Sequence, residues 1–149
     1  MYEKFGQFIG GKWQQSSDKS TYEVINPATE EIIGHASKAT SKDINDALKS
    51  AQKGLEVWKK TPPWQRSNII RKIADKMREK QDVLAKWMTL EVGKPFAEAK
   101  GEVGGAADIF EWNSEETKRI YGQTVESRFA DTRVHVYYQP VGVVAALSP

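Results

Sequence analysis

Short apolar runs separated by turn residues open the chain. Phe8-Ile9 and Lys12-Trp13 flank Gly10-Gly11, which predicts a hairpin, and Thr21 to Ile25 and Glu31 to Ala36 read as two further strands around Asn26-Pro27. The period then changes. Thr40-Ser41-Lys42-Asp43 has the form of a capping box, and behind it Ile44, Ala47, Leu48, Ala51, Leu55 and Trp58 recur at helical spacing. Pro62-Pro63 ends that helix and starts a second, whose stripe is Ile69, Ile70, Ile73, Ala74 and Met77. A third carries Val83, Leu84, Trp87 and Met88 and stops at Gly93 with Pro95 beyond it. A fourth is predicted from about Pro95 to Ile120, with Phe96, Ala99, Val103, Ala106, Ala107, Phe110, Ser114, Thr117 and Tyr121 along one side.

Gly101, Gly104 and Gly105 each weaken this fourth helix by roughly 1 kcal/mol relative to Ala, which predicts close approach of another backbone. After Gly122 the period becomes two. Val134, Val136 and Tyr138 share a face within Arg133 to Tyr138. Val141 to Leu147 is apolar without alternation, as in a strand buried on both faces of a parallel sheet. Such a strand reaches a parallel neighbour only through a crossover of about a dozen residues or more, and two residues remain. This predicts that the sequence is a piece of a larger fold.

Composition narrows the chemistry. With no Cys among 149 residues there is no disulfide framework, no thiolate nucleophile and no Cys-ligated metal. The 22 basic and 20 acidic side chains nearly cancel and are interleaved, the pattern of solvated helix faces and not of a nucleic-acid footprint. No run reaches the roughly 18 apolar residues of a membrane span, and Met1-Tyr2-Glu3-Lys4 lacks the form of a secretory signal, so the cytoplasm is the expected location. His35 and His135 are far apart and read as strand residues. Gly101 to Gly105 fails the dinucleotide fingerprint because it lies inside a helical pattern. The tryptophans at 13, 58, 64, 87 and 112 read as core or element ends.

Glu91 resists a purely structural reading. It follows Leu84, Trp87 and Met88 at helical spacing, in the last turn before Gly93, where partial burial and the negative end of the helix dipole both call for a positive partner. One partner is a nearby Lys or Arg, Lys94 being nearest in sequence; the other is a bound cation held with backbone carbonyls.

The runs Phe8-Ile9-Gly10-Gly11-Lys12-Trp13, Ile25-Asn26-Pro27-Ala28-Thr29, Met88-Thr89-Leu90-Glu91-Val92-Gly93-Lys94-Pro95 and Pro140-Val141-Gly142-Val143-Val144-Ala145, in that order, resemble the aldehyde dehydrogenase superfamily. The likeness runs from about residue 8 to 149. Ala97-Glu98-Ala99-Lys100-Gly101-Glu102, Glu111-Trp112 and Glu115 to Gly122 are similar to the succinate-semialdehyde dehydrogenases within it. The resemblance implies an α/β fold: the helix-rich amino-terminal part of a Rossmann-like cofactor domain over 1–122, an oligomerisation hairpin over 123–140, and the first strand of the nucleotide-binding sheet over 141–149. It implies oxidation of a small aldehyde with NAD or NADP. A Cys thiolate attacks the aldehyde, hydride passes to the cofactor, and a Glu-activated water releases the acid, with the oxyanion held by an Asn and a backbone amide. Those catalytic residues would all lie beyond Pro149, so none is assigned here. The positions matching Leu147, Ser148 and Pro149 line the cofactor cleft in relatives. A structural monovalent cation is implied at the carbonyls of Val24 and Ile25 with the carboxylate of Glu91. Many relatives carry the shorter Asp at that last position. A homo-oligomer is also implied. The rival reading is a stand-alone short protein acting as an interaction module.

Overall fold

A computed structural model describes residues 6–148. In chain order the elements are β1 (Gln7–Ile9), β2 (Lys12–Gln14), β3 (Thr21–Ile25), β4 (Ile32–Ser37), α1 (Ser41–Trp58), α2 (Pro63–Glu79), α3 (Gln81–Val92), α4 (Phe96–Glu116), a 3-10 turn (Thr117–Arg119), β5 (Gln123–Glu126) and β6 (Arg133–Val136). The strands pair as three antiparallel hairpins, β1-β2, β3-β4 and β5-β6. None of the described helices is long and apolar enough to cross a membrane.

Local signals set the element boundaries. Gly10 and Gly11 adopt φ of 63° and 80°, the conformation their two-residue turn demands. Pro63 sits at the first turn of α2, where its missing N–H costs no hydrogen bond. Gly93 ends α3 in the left-handed region at φ 77°.

The start of α1 also holds the amino-terminal hairpins in place. The Thr40 hydroxyl accepts from the Asp43 amide at 3.2 Å, and Asp43 Oδ2 accepts from the Thr40 amide at 2.9 Å, completing the capping box. Asp43 is buried and also accepts from the Ser17 amide at 3.2 Å and the Ser16 hydroxyl at 3.2 Å, so one carboxylate joins the loop after β2 to the helix. The Thr40 amide, together with the Thr40 hydroxyl and the Ser17 amide, holds the Asp43 carboxyl well below its ordinary range. Ser20, through its hydroxyl and then its amide, lowers neighbouring Asp18 from 3.8 to about 2, with the Ser16 hydroxyl adding to the effect.

Both carboxylates are therefore stabilised as anions in the folded state. Their contribution is present above their ordinary values and is lost as pH falls from near 3.8 through the folded values, about 2 for Asp18 and lower for Asp43. Thr40→Ala is expected to cost about 1 kcal/mol. Asp43→Asn should lower the melting temperature further and flatten its fall between pH 5 and pH 2. An unchanged acid slope in Asp43→Asn would show that another group drives it.

The helical core is built from small side chains. Ala74 of α2, Ala85 of α3 and Ala99, Val103 and Ala107 of α4 are its buried apolar residues, and Leu84 and Met88 pack against Ala85, Ala99 and Val103. α4 lies against both α2 and α3. Arg71 pairs with Glu111, and with Glu115 at 3.5 Å, while Arg78 pairs with Asp108 at 2.7 Å and with Glu111; these ion pairs set α2 alongside α4. All are part-exposed and add little stability individually.

Several expectations change. The helix predicted to Ile120 ends at Glu116 and tightens into the 3-10 turn. Of its glycines only Gly104 is closely approached: a Cβ there would lie 3.1 Å from Gln81 Nε2, which donates to the Lys100 carbonyl at 2.9 Å. Gly101 and Gly105 face open space, so the predicted backbone approach does not occur there. Trp112, about one turn before the end of α4, is 71% exposed and is not core. The apolar stripe of α1 is poorly covered, Ile44 and Leu48 being about half exposed. Val141 to Leu147 forms no ladder, with Val141 and Leu147 almost fully exposed. A strand is defined by hydrogen bonds to a neighbour, and no described strand lies beside this segment.

Candidate cation and cofactor sites

Two distant parts of the chain meet at the end of α3. A Cβ added to Gly93 would lie 2.9 Å from Pro27 Cγ, 3.5 Å from the Ala28 nitrogen and 3.6 Å from Ala28 Cβ. The carboxyl end of α3 is therefore pressed onto the turn that leaves β3. That turn is held by Asn26, which is buried. Its side-chain oxygen accepts from the Ala28 amide at 2.9 Å, its own amide donates to the Glu31 carbonyl at 2.9 Å, and its carbonyl accepts from the Glu30 amide at 2.8 Å. Asn-Pro marked a turn in the sequence, but nothing in it marked the Asn side chain as the turn's hub.

Val24 and Ile25 precede this contact by two residues or more on the β3 side, and Glu91 precedes it by two on the α3 side. Val24 pairs with Gly34 while Ile25 pairs with Ile32, so the β3-β4 ladder is interrupted between Val24 and Ile25. Helix ends carry carbonyls without intrahelical partners and a partial negative charge, and this end of α3 meets the turn at Pro27 and Ala28. Glu91 itself is exposed, in contrast to the partial burial expected from its apolar neighbours. Lys94, the nearest basic residue in sequence, forms an ion pair with Glu102 of α4. No group of three or more His, Cys, Asp or Glu residues among those described is arranged to hold a metal, so any cation here depends on main-chain oxygen.

The predicted cofactor contacts lie at the other end of the chain. Leu147 is 99% exposed, Ser148 is exposed, and Pro149 lies outside the described residues. Cofactor sites enclose most of their ligand. Two exposed residues on an unpaired segment do not, so the described residues alone do not form a fit for NAD or NADP. His35 lies in β4 opposite Glu23, and His135 in β6, where its Nδ1 is 3.2 Å from the Thr124 hydroxyl. They are not brought together with Glu91 in any metal-binding group.

Residues 13–149 match the Aldehyde dehydrogenase family. The chain belongs to that family. As a family member it is 44% identical over 142 residues to the glutarate-semialdehyde dehydrogenase of Pseudomonas aeruginosa, covering 95% of this chain and 29% of that protein. It is 41% identical over 141 residues to the NADP(+) succinate-semialdehyde dehydrogenase of Escherichia coli, with the same two coverages. The crystal structure of succinate-semialdehyde dehydrogenase from Burkholderia pseudomallei superposes with a TM-score of 0.87 at 37% identity, over 93% of this chain and 29% of that one. This aldehyde dehydrogenase chain thus spans less than a third of the length of the relatives it matches, and corresponds to their amino-terminal portion.

Proposed function

We propose that the chain is the amino-terminal part of an NAD(P)-dependent dehydrogenase that oxidises a short semialdehyde, succinate semialdehyde or its one-carbon-longer homologue, to the dicarboxylate. The observation that carries this reading is the 41 to 44% identity to two semialdehyde dehydrogenases across 95% of the chain. The relatives differ by one methylene in substrate, a difference that hydrophobic contacts distinguish only weakly. Within this reading NAD or NADP would meet the backbone at Leu147, Ser148 and Pro149. The hairpin over 123–140 would pair with another subunit in a homo-oligomer. The carbonyls of Val24 and Ile25, with Glu91, would hold a structural monovalent cation.

The 149 residues contain no Cys, so they supply no thiolate to form a thiohemiacetal. The isolated chain is expected to reduce neither NAD nor NADP with either semialdehyde, at a rate indistinguishable from a protein-free blank. Turnover by a preparation shown by mass spectrometry to contain this chain alone would overturn the assignment of the chemistry to residues beyond it. For a protein extended past Pro149, kcat/KM with the semialdehydes should exceed that with butanal by roughly 100-fold or more, because a site built to pair with a carboxylate rejects a substrate lacking one. Equal values would remove the semialdehyde reading and leave the family.

A second reading, an interaction module that functions without the rest of an enzyme, is favoured by the large apolar side chains left on the surface, including Trp64, Ile109, Trp112, Tyr121 and Tyr137. Cofactor reduction by an extended protein decides between the two.

A further inference from the structure

We draw no further inference here: the strongest candidate, the apolar surface patch that Ile44, Leu48 and Trp58 leave exposed along α1, carries nothing because nothing in the structure shows what covers it.

Discussion

Raised in concentration, the 149-residue chain is expected to leave the monomeric state and form dimers or larger particles, visible by sedimentation and light scattering. The cause is the carboxyl-terminal hairpin. β5 and β6 pair only with each other, so both outer edges carry backbone donors and acceptors with no strand beside them. The register puts Val125 directly opposite Val134, with Val136 on the same face, while Thr124, His135, Glu126 and Arg133 occupy the other. The hairpin thus has an apolar face and a polar one. Val125, Val134 and Val136 are each exposed by about two-fifths, and Tyr137, Tyr138, Val141, Val144 and Leu147 beyond them are exposed to a greater extent. An unpaired edge beside so much contiguous apolar surface recruits another chain. Val136→Lys puts a charge on the apolar face and should raise the concentration at which association sets in by roughly tenfold or more. Persistence of the wild-type monomer at the highest attainable concentration would show that Arg133 and His135 shield the edge, and would weaken the interaction-module reading.

The same hairpin shows what the amino-acid sequence could and could not convey. Its alternation from Arg133 to Tyr138 is local, and β6 follows it only as far as Val136. The capping box of Thr40 and Asp43, Pro63 at the start of α2 and Gly93 at the end of α3 are equally local, each depending on residues within one turn of one another, and each stands where the pattern placed it. Burial is a different quantity. Periodicity shows which face of α1 is apolar, but whether Ile44 and Leu48 are covered depends on a surface elsewhere, and among the described residues that cover is incomplete. The glycines of α4 differ from the expectation for a related reason: a missing Cβ signals permission for close approach, not its occurrence. Val141 to Leu147 has the composition of a buried strand yet forms no ladder, since composition states a preference and a ladder needs a partner. For the cation site, the Asn-Pro turn and Gly93 were both legible. Their contact across more than sixty residues of chain was not, because nothing local encodes it.

That contact makes Gly93→Ala the substitution with the largest expected structural effect on the proposed cation site. At φ 77° an L residue other than Gly is strained, and the added methyl would lie 2.9 Å from Pro27 Cγ. The neighbour is a proline ring on a turn held by Asn26, so the end of α3 has little room to adjust. A loss of about 1 to 3 kcal/mol is expected, or a fall in melting temperature of roughly 3 to 10 °C for a chain of this length. The substitution also serves as a probe, because displacing α3 from the turn would disturb the proposed grouping of Glu91 with Val24 and Ile25. If a monovalent ion binds there, the wild-type chain should melt higher in potassium or sodium chloride than in tetramethylammonium chloride at equal ionic strength, since the organic cation is too large to be held by converging carbonyls. Salt at about ten times the Kd would add roughly 1.4 kcal/mol. Glu91→Gln should remove the difference between salts while retaining the backbone geometry, and Gly93→Ala should remove it along with stability. Identical wild-type melting in all three salts would dispose of the cation while leaving the packing argument for Gly93 intact. A difference that survived Glu91→Gln would place the ion elsewhere.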